Sequence, residues 1–260
     1  MKKAIYLFLI AVVTIASMSA CRIEKVYDSK GPAQTYHLNL TGFNSLHNAT
    51  NCDIHFIQSD TFKVTLKATP GWYERHSVSV EDGALKVKSD KYKGMKGVTV
   101  LSINTNDDQA EMWVSAPSLN DVSLSGSGDF TIDNDFRGKT LGIIRMGSGD
   151  TKTKNVTLTD EFMYHVSGSG DAQFGTVKAK SAKLSIMGSG GVKSGLAGVA
   201  TTKLTISGSG DASLKLSNCG NADVNVTGSG DVTLTGQLKT LSKHVSGSGD
   251  VDTSGLSLGK

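Results

Sequence analysis

Proline is almost missing from this chain, with 3 residues among 260, while glycine stands at 30. So little proline excludes a Pro/Gly-rich disordered chain, and the lack of a Gly-X-Y period excludes collagen. Cysteine is as sparse, with 3 residues, which rules out the dense disulfide framework of a small secreted scaffold. Neither sign of charge dominates. The formal net charge is +3, and removing the two charges of Lys2 and Lys3 with a leader leaves +1, so nucleic acid is not an expected partner. Chemistry-bearing patterns are missing too: there is no HExxH, no phosphate-binding loop and no nucleophile paired with a base.

What the chain does have is a repeat. Gly-Ser-Gly-Asp occurs six times and Gly-Ser-Gly-Gly once, beginning at Gly126, Gly147, Gly168, Gly188, Gly208, Gly228 and Gly247. The differences between these positions are 21, 21, 20, 20, 20 and 19 residues. A period that narrow means one structural unit stacked on itself. Four residues before each first glycine stand Val122, Ile143, Tyr164, Leu184, Leu204, Val224 and Lys243, and two before it Leu124, Arg145, Val166, Ile186, Ile206, Val226 and Val245. Six of seven are apolar in each column, and the column between is mostly polar. That alternation is a strand with one buried face.

Its parity runs on through the motif to Phe130, Ala172, Ala212 and Val232. Both glycines therefore face inward, where the lack of a side chain permits a corner or a close approach by the opposite wall, and serine and aspartate face water. A coil of about 20 residues stacked by parallel pairing is a β-helix, with neighbouring coils about 4.8 Å apart.

Upstream, Asp53–Ile57 and Phe62–Leu66 read as consecutive strands, and Val78–Val80 with Ala84–Val87 as a hairpin about Glu81-Asp82-Gly83. Val98–Ile103 and Glu111–Val114 read as further strands, with loops at 91–97 and 104–109. No long amphipathic helix is expected. The organisation is a leader at 1–20, a linker at 21–34, an irregular β-rich segment at 35–117 and the repeat at 118–260.

The leader joins Lys2 and Lys3 to an apolar stretch, Ala4–Ala16, and ends in Ser17-Met18-Ser19-Ala20-Cys21. The stretch is short for a membrane span. It resembles the bacterial lipoprotein signal, which implies that Cys21 becomes the lipid-bearing first residue. An ordinary secretory cleavage site before Cys21 is the alternative. Residues 22–34 are polar and read as a tether. Cys52 and Cys219 lie too far apart in the repeat to bridge and read as buried thiols.

The repeat resembles one family in detail. Leu124-Ser125-Gly126-Ser127-Gly128-Asp129, Val166–Asp171 and Ile206–Asp211 look like the repeats of the head GIN domain family of "putative auto-transporter adhesins". Phe43–Leu46, Phe56–Asp60, Asp82–Leu85 and Val114–Leu119 extend the resemblance over nearly all of the mature chain. It implies an exported bacterial protein of right-handed parallel β-helical fold. Gly191, Met146, Met187 and Arg145 depart from the pattern.

Two candidate sites follow. Asp129, Asp150, Asp171, Asp211, Asp231 and Asp250 would stack on the outside about 5 Å apart, where like charges repel by about 1 kcal/mol in water. A cation could relieve this, and hydrogen bonding of aspartate and serine to the local backbone is the alternative. Trp72 and Tyr73, after Pro70-Gly71, read as exposed aromatics able to stack on sugar rings, whereas Trp113 reads as packing over the end of the coil stack. No cofactor is expected. The six histidines have no ligand-like spacing. The expectation is an all-β, non-catalytic lipoprotein, exported and anchored in the cell envelope at the outer membrane. Its expected partners are the membrane and a glycan or an envelope or host protein. A structural scaffold and a polysaccharide-active enzyme are the competing readings.

Overall fold

The computed structural model describes residues 31–89 and 110–259. The leader, Cys21, most of the tether, Tyr92 and the strand expected at Val98–Ile103 with its flanking loops lie outside the described residues.

The repeat forms a parallel β-solenoid. On one face, Asp121–Leu124, Leu141–Arg145, Glu161–Val166, Ser181–Ile186 and Thr201–Gly208 pair in parallel, followed by the later parts of Ala212–Gly228 and Val232–Gly247. The register places Val122, Ile143, Tyr164, Leu184, Leu204, Val224 and Lys243 side by side. These are the columns of the sequence alignment, so repeat spacing and sheet register are the same quantity. After each motif a second face begins, from Phe130–Ile132 through Thr151–Thr153, Ala172–Lys178 and Val192–Ala197. A shorter run, starting with Phe136–Gly138 and Val156–Leu158, brings the chain back.

The stack begins earlier than the repeat does. Ser45–Asn48 pairs in parallel with Asp121–Leu124, and Asp53–Gln58 with Phe130–Ile132. The irregular N-terminal segment therefore supplies the first coil, and a single apolar core runs from Phe43 to Val251. Beyond that coil the sheet turns partly antiparallel. His76–Glu81 and Ala84–Ser89 form the expected hairpin, with positive φ at Asp82 (53°) and Gly83 (73°) as a two-residue turn of matching twist requires. Asp53–Gln58 and Lys63–Ala68 are both strands but do not pair. Ala110–Ala116 lies between them, parallel to the first and antiparallel to the second.

Arg145 breaks the apolar column and is nonetheless fully buried. Its Nε donates to Thr151 Oγ1 at 2.9 Å, Nη1 to Gly128 O at 3.1 Å and Nη2 to Asp150 O at 2.7 Å. Burial lowers its pKa, while Tyr164 and the carboxylates of Asp129 and Asp150 oppose that shift. The guanidinium thus joins two coils from inside, each of its nitrogens satisfied by an oxygen. Cys52 and Cys219 are buried free thiols, and burial pushes that of Cys52 far up from its ordinary value.

Candidate functional site

The corner of each coil explains the motif. A Cβ built on Gly147, Gly168, Gly188 or Gly228 would meet the carbonyl oxygen of the first glycine one coil back, at Gly126, Gly147, Gly168 and Gly208. The second glycines repeat this, with Gly149 against Gly128 and Gly170 against Gly149. Every one of these separations is under 3.0 Å, which real Cβ atoms do not show. Parity holds for the second glycines, Gly128, Gly149, Gly170, Gly190, Gly210 and Gly230, which are buried next to exposed serines, whereas the first glycines, Gly126, Gly147, Gly168, Gly188, Gly208 and Gly228, are only half-buried. The close approach, however, is to the backbone of the preceding coil and not to the opposite wall.

In the first coil the corresponding corner carries no glycine. Thr50 and Cys52 stand where Gly126 and Gly128 stand in the next coil, and their carbonyls are the ones those glycines approach. Asn48 holds this corner: its Oδ1 accepts from Thr50 Oγ1 at 2.7 Å, and its Nδ2 donates to Cys52 O at 2.7 Å.

The aspartates form a ladder whose bonding is between coils. The amide of Asp150 donates to Asp129 Oδ1 (2.7 Å), that of Asp171 to Asp150 Oδ1 (3.0 Å), and that of Gly191 to Asp171 Oδ1 (2.7 Å). The series resumes with Asp231 on Asp211 Oδ1 (2.8 Å) and Asp250 on Asp231 Oδ1 (2.9 Å). It also starts one rung earlier than the motif, because Asp53 Oδ1 accepts the amide of Asp129 at 2.8 Å. Every carboxylate of the ladder from Asp53 to Asp231 thus has one oxygen committed to an amide one coil on, and that charge-assisted bond offsets the repulsion along the column. The alternative of bonding to local backbone is corrected: the acceptor and its donor lie 19 to 21 positions apart within the repeat.

Gly191 is the one rung without a carboxylate, so it has nothing to offer the amide of Asp211. A Cβ there would lie 3.7 Å from Asp211 O and 3.3 Å from Asp171 Oδ1, a tight contact that the exposed Asp171 side chain relieves by a shift of a few tenths of an ångström. Gly191→Asn is expected to raise stability by about 1 kcal/mol, through a new acceptor and a less flexible unfolded chain. Asp150→Ala should lower it by a similar amount, about 1 kcal/mol. Urea unfolding of both variants checks the pair, and a neutral Asp150→Ala would show that the ladder contributes nothing.

Beside the ladder runs a groove of about 570 Å³, floored by Ala172, Val192 and Ala212 and walled opposite the aspartates by Lys152, Gln173 and Lys193. On the other face a groove of about 450 Å³ is walled by Lys183, Lys203 and Asp223. Both run along the axis between rows of outward side chains. Among the described residues no three of His, Cys, Asp and Glu are grouped to hold a metal ion.

The aromatic pair separates. Trp72 is corrected: it is fully buried, in the short helix Pro70–Arg75 begun by Thr69, whose side chain accepts from the Trp72 amide at 3.2 Å. Its ring stacks on His76 with centroids 4.0 Å apart, and Nε1 donates to Asn51 Oδ1 at 3.1 Å. It fills the N-terminal core and presents no face to a sugar. Tyr73, the next residue, is 39% exposed and stacks flat on Tyr36 at 4.0 Å.

Trp113 is corrected as well. It is half-buried on the outer face of Ala110–Ala116, in a cross-strand row with Thr65, His55 and Thr131. Its ring stacks on His55 at 5.6 Å. His55 Nε2 lies 3.2 Å from Glu111 Oε1, and Nδ1 lies 3.3 Å from Asp133 Oδ2 and 2.9 Å from Thr131 Oγ1. Sequence spacing missed this cluster because its members come from three strands far apart in the chain. The two carboxylates sit at opposite ring nitrogens, so they hold the imidazole in place and do not converge on one point.

Solved structures share this fold. An adhesin-like protein of Bacteroides fragilis superposes with a TM-score of 0.71 at 21% identity, over 84% of this chain and 95% of that one. A similar protein of Parabacteroides distasonis gives 0.66 at 19% identity, over 86% and 97%. A second protein of that organism, described as a lipid binding protein, gives 0.67 at 18% identity, over 85% and 96%. No curated protein matches the chain. A family model described as "Putative auto-transporter adhesin, head GIN domain" matches residues 42–256.

Proposed function

The chain belongs to the head GIN domain family, and on that premise we propose that it is a non-catalytic adhesin of the bacterial cell envelope, tethered through a lipid on Cys21. The observation that carries this reading is the pair of long sheet faces. Their outward side chains form continuous axial rows, and the two grooves between rows are shaped for an extended partner. The aspartate carboxylates of the corners are spent on bonds from coil to coil. The leader and its Ser-Ala-Cys end support export and acylation.

A glycan is the partner class best matched to the grooves and to Tyr73, the exposed aromatic of the original pair. The lipid binding protein of Parabacteroides distasonis is similar in fold alone and carries no weight for the ligand.

The test is a screen of the chain from residue 22 onward against immobilised glycans, envelope fractions and host matrix proteins. Saturable binding to at least one of them is expected, weakened several-fold by Tyr73→Ala or by Lys152→Ala with Lys193→Ala. Absence of binding throughout would overturn the adhesive reading in favour of a structural scaffold. Turnover of a polysaccharide by the same sample would overturn the non-catalytic one. Growth in labelled palmitate should label the wild type and not Cys21→Ala.

A further inference from the structure

The two ends of the solenoid are unlike. At the N-terminal end, antiparallel strands carry the sheet past the first coil and Trp72 fills the core between them. At the other end, Thr240–Gly247 and Val251–Leu258 are paired on one side only among the described residues. Apolar residues of this last coil are open, with Val245 37% and Leu258 55% exposed. One coil back the equivalent positions are dry, Val226 at 0% and Leu238 at 3%. An open parallel edge over an apolar cross-section is a template for another chain.

The last coil also holds the one lysine in the inward column that elsewhere reads Val122, Ile143, Tyr164, Leu184, Leu204 and Val224. Lys243 reaches across the mouth of the coil, and its Nζ donates to Val251 O at 3.3 Å on the opposite face. Its alkyl stem lies over the core and its ammonium stays wet, as long basic side chains do. A chain docking on this end would have to bury that ammonium together with the exposed Asp252 carboxylate whose charge it feels.

We propose that Lys243 closes this end of the solenoid against a second copy of the same chain. The partner it excludes is an identical molecule, because a like edge, turned through a two-fold axis, offers antiparallel pairing and an apolar cross-section of the same size. The lysine is an inward-pointing charge on an edge strand, one of the devices by which sheet proteins avoid edge-to-edge association.

The chain from residue 22 onward, which holds every described element and the core from Phe43 to Val251, is the sample. Its mass is read by light scattering across a hundredfold range of concentration, with far-UV circular dichroism as the check on folding. Wild type and Lys243→Arg are expected to be monomers throughout. Lys243→Leu, which matches the column, and Lys243→Gln, which keeps much of the stem without the charge, are expected to dimerise at least tenfold more tightly. Adding Val245→Lys to Lys243→Leu should restore the monomer, which separates this end from general stickiness. A dimeric wild type would overturn the proposal. So would folded Leu and Gln variants that stay monomeric, or a dimer that survives Val245→Lys.

Discussion

Gly147→Ala is expected to destabilise the protein by more than about 4 kcal/mol, at the upper extreme for a single substitution. The added methyl would lie on the carbonyl oxygen of Gly126, far inside 3.0 Å. Both atoms belong to backbone held in register by neighbouring coils, so neither can move aside as a side chain tip could. The coil spacing itself would have to open, breaking the bonds from Met146 N to Leu124 O and from Asp150 N to Asp129 Oδ1. Gly195→Ala is the internal control. Its Cβ would come no closer than 3.5 Å, to Thr176 Oγ1, and the substitution should be neutral or stabilising by up to about 1 kcal/mol. Urea or thermal unfolding of the two variants decides the matter. If Gly147→Ala unfolds within about 1 kcal/mol of wild type, the corner is not set by contact between coils.

Trp72→Ala should cost about 3–5 kcal/mol, the range for deleting a large buried aromatic. It empties the N-terminal core, removes the stack on His76 and leaves Asn51 Oδ1 without the indole donor. Trp72→Phe keeps much of the volume and should recover about half of the loss. Tyr73→Ala, one residue on, removes a half-exposed ring and should cost under about 1 kcal/mol. The same variants carry the functional contrast. Ligand binding by folded Trp72→Phe should equal wild type, whereas loss of binding there with unchanged stability would return Trp72 to the ligand surface.

Much of the solenoid is legible in the sequence. Alternation at Leu124, Val166 and Ile206 specifies a buried face, and the spacing of the glycines specifies the register. Both are local or periodic signals, and a repeat multiplies them. Arg145 looked like a flaw in that pattern because sequence shows polarity but not the oxygens of Gly128, Asp150 and Thr151 that surround it. The first rung at Asp53 was invisible for a related reason. Its corner uses Thr50 and Cys52 with side-chain bonds from Asn48, so no glycine marks it. Trp72, after Pro70-Gly71, read as a surface turn. Those residues instead start a one-and-a-half-turn helix that drives the indole inward.

The sequence alone determined the architecture, the coil length and which strand residues of the repeat face the core, since each follows from spacing along a single chain. It also carried the family resemblance, which the match over residues 42–256 makes membership. Only the tertiary structure decided what the aspartates bond to, where the stack begins, which aromatic is buried and what closes each end. The ladder and its first rung depend on atoms brought together from positions 19 to 76 residues apart, and the pairing of such atoms is set by coil stacking, which no local pattern encodes.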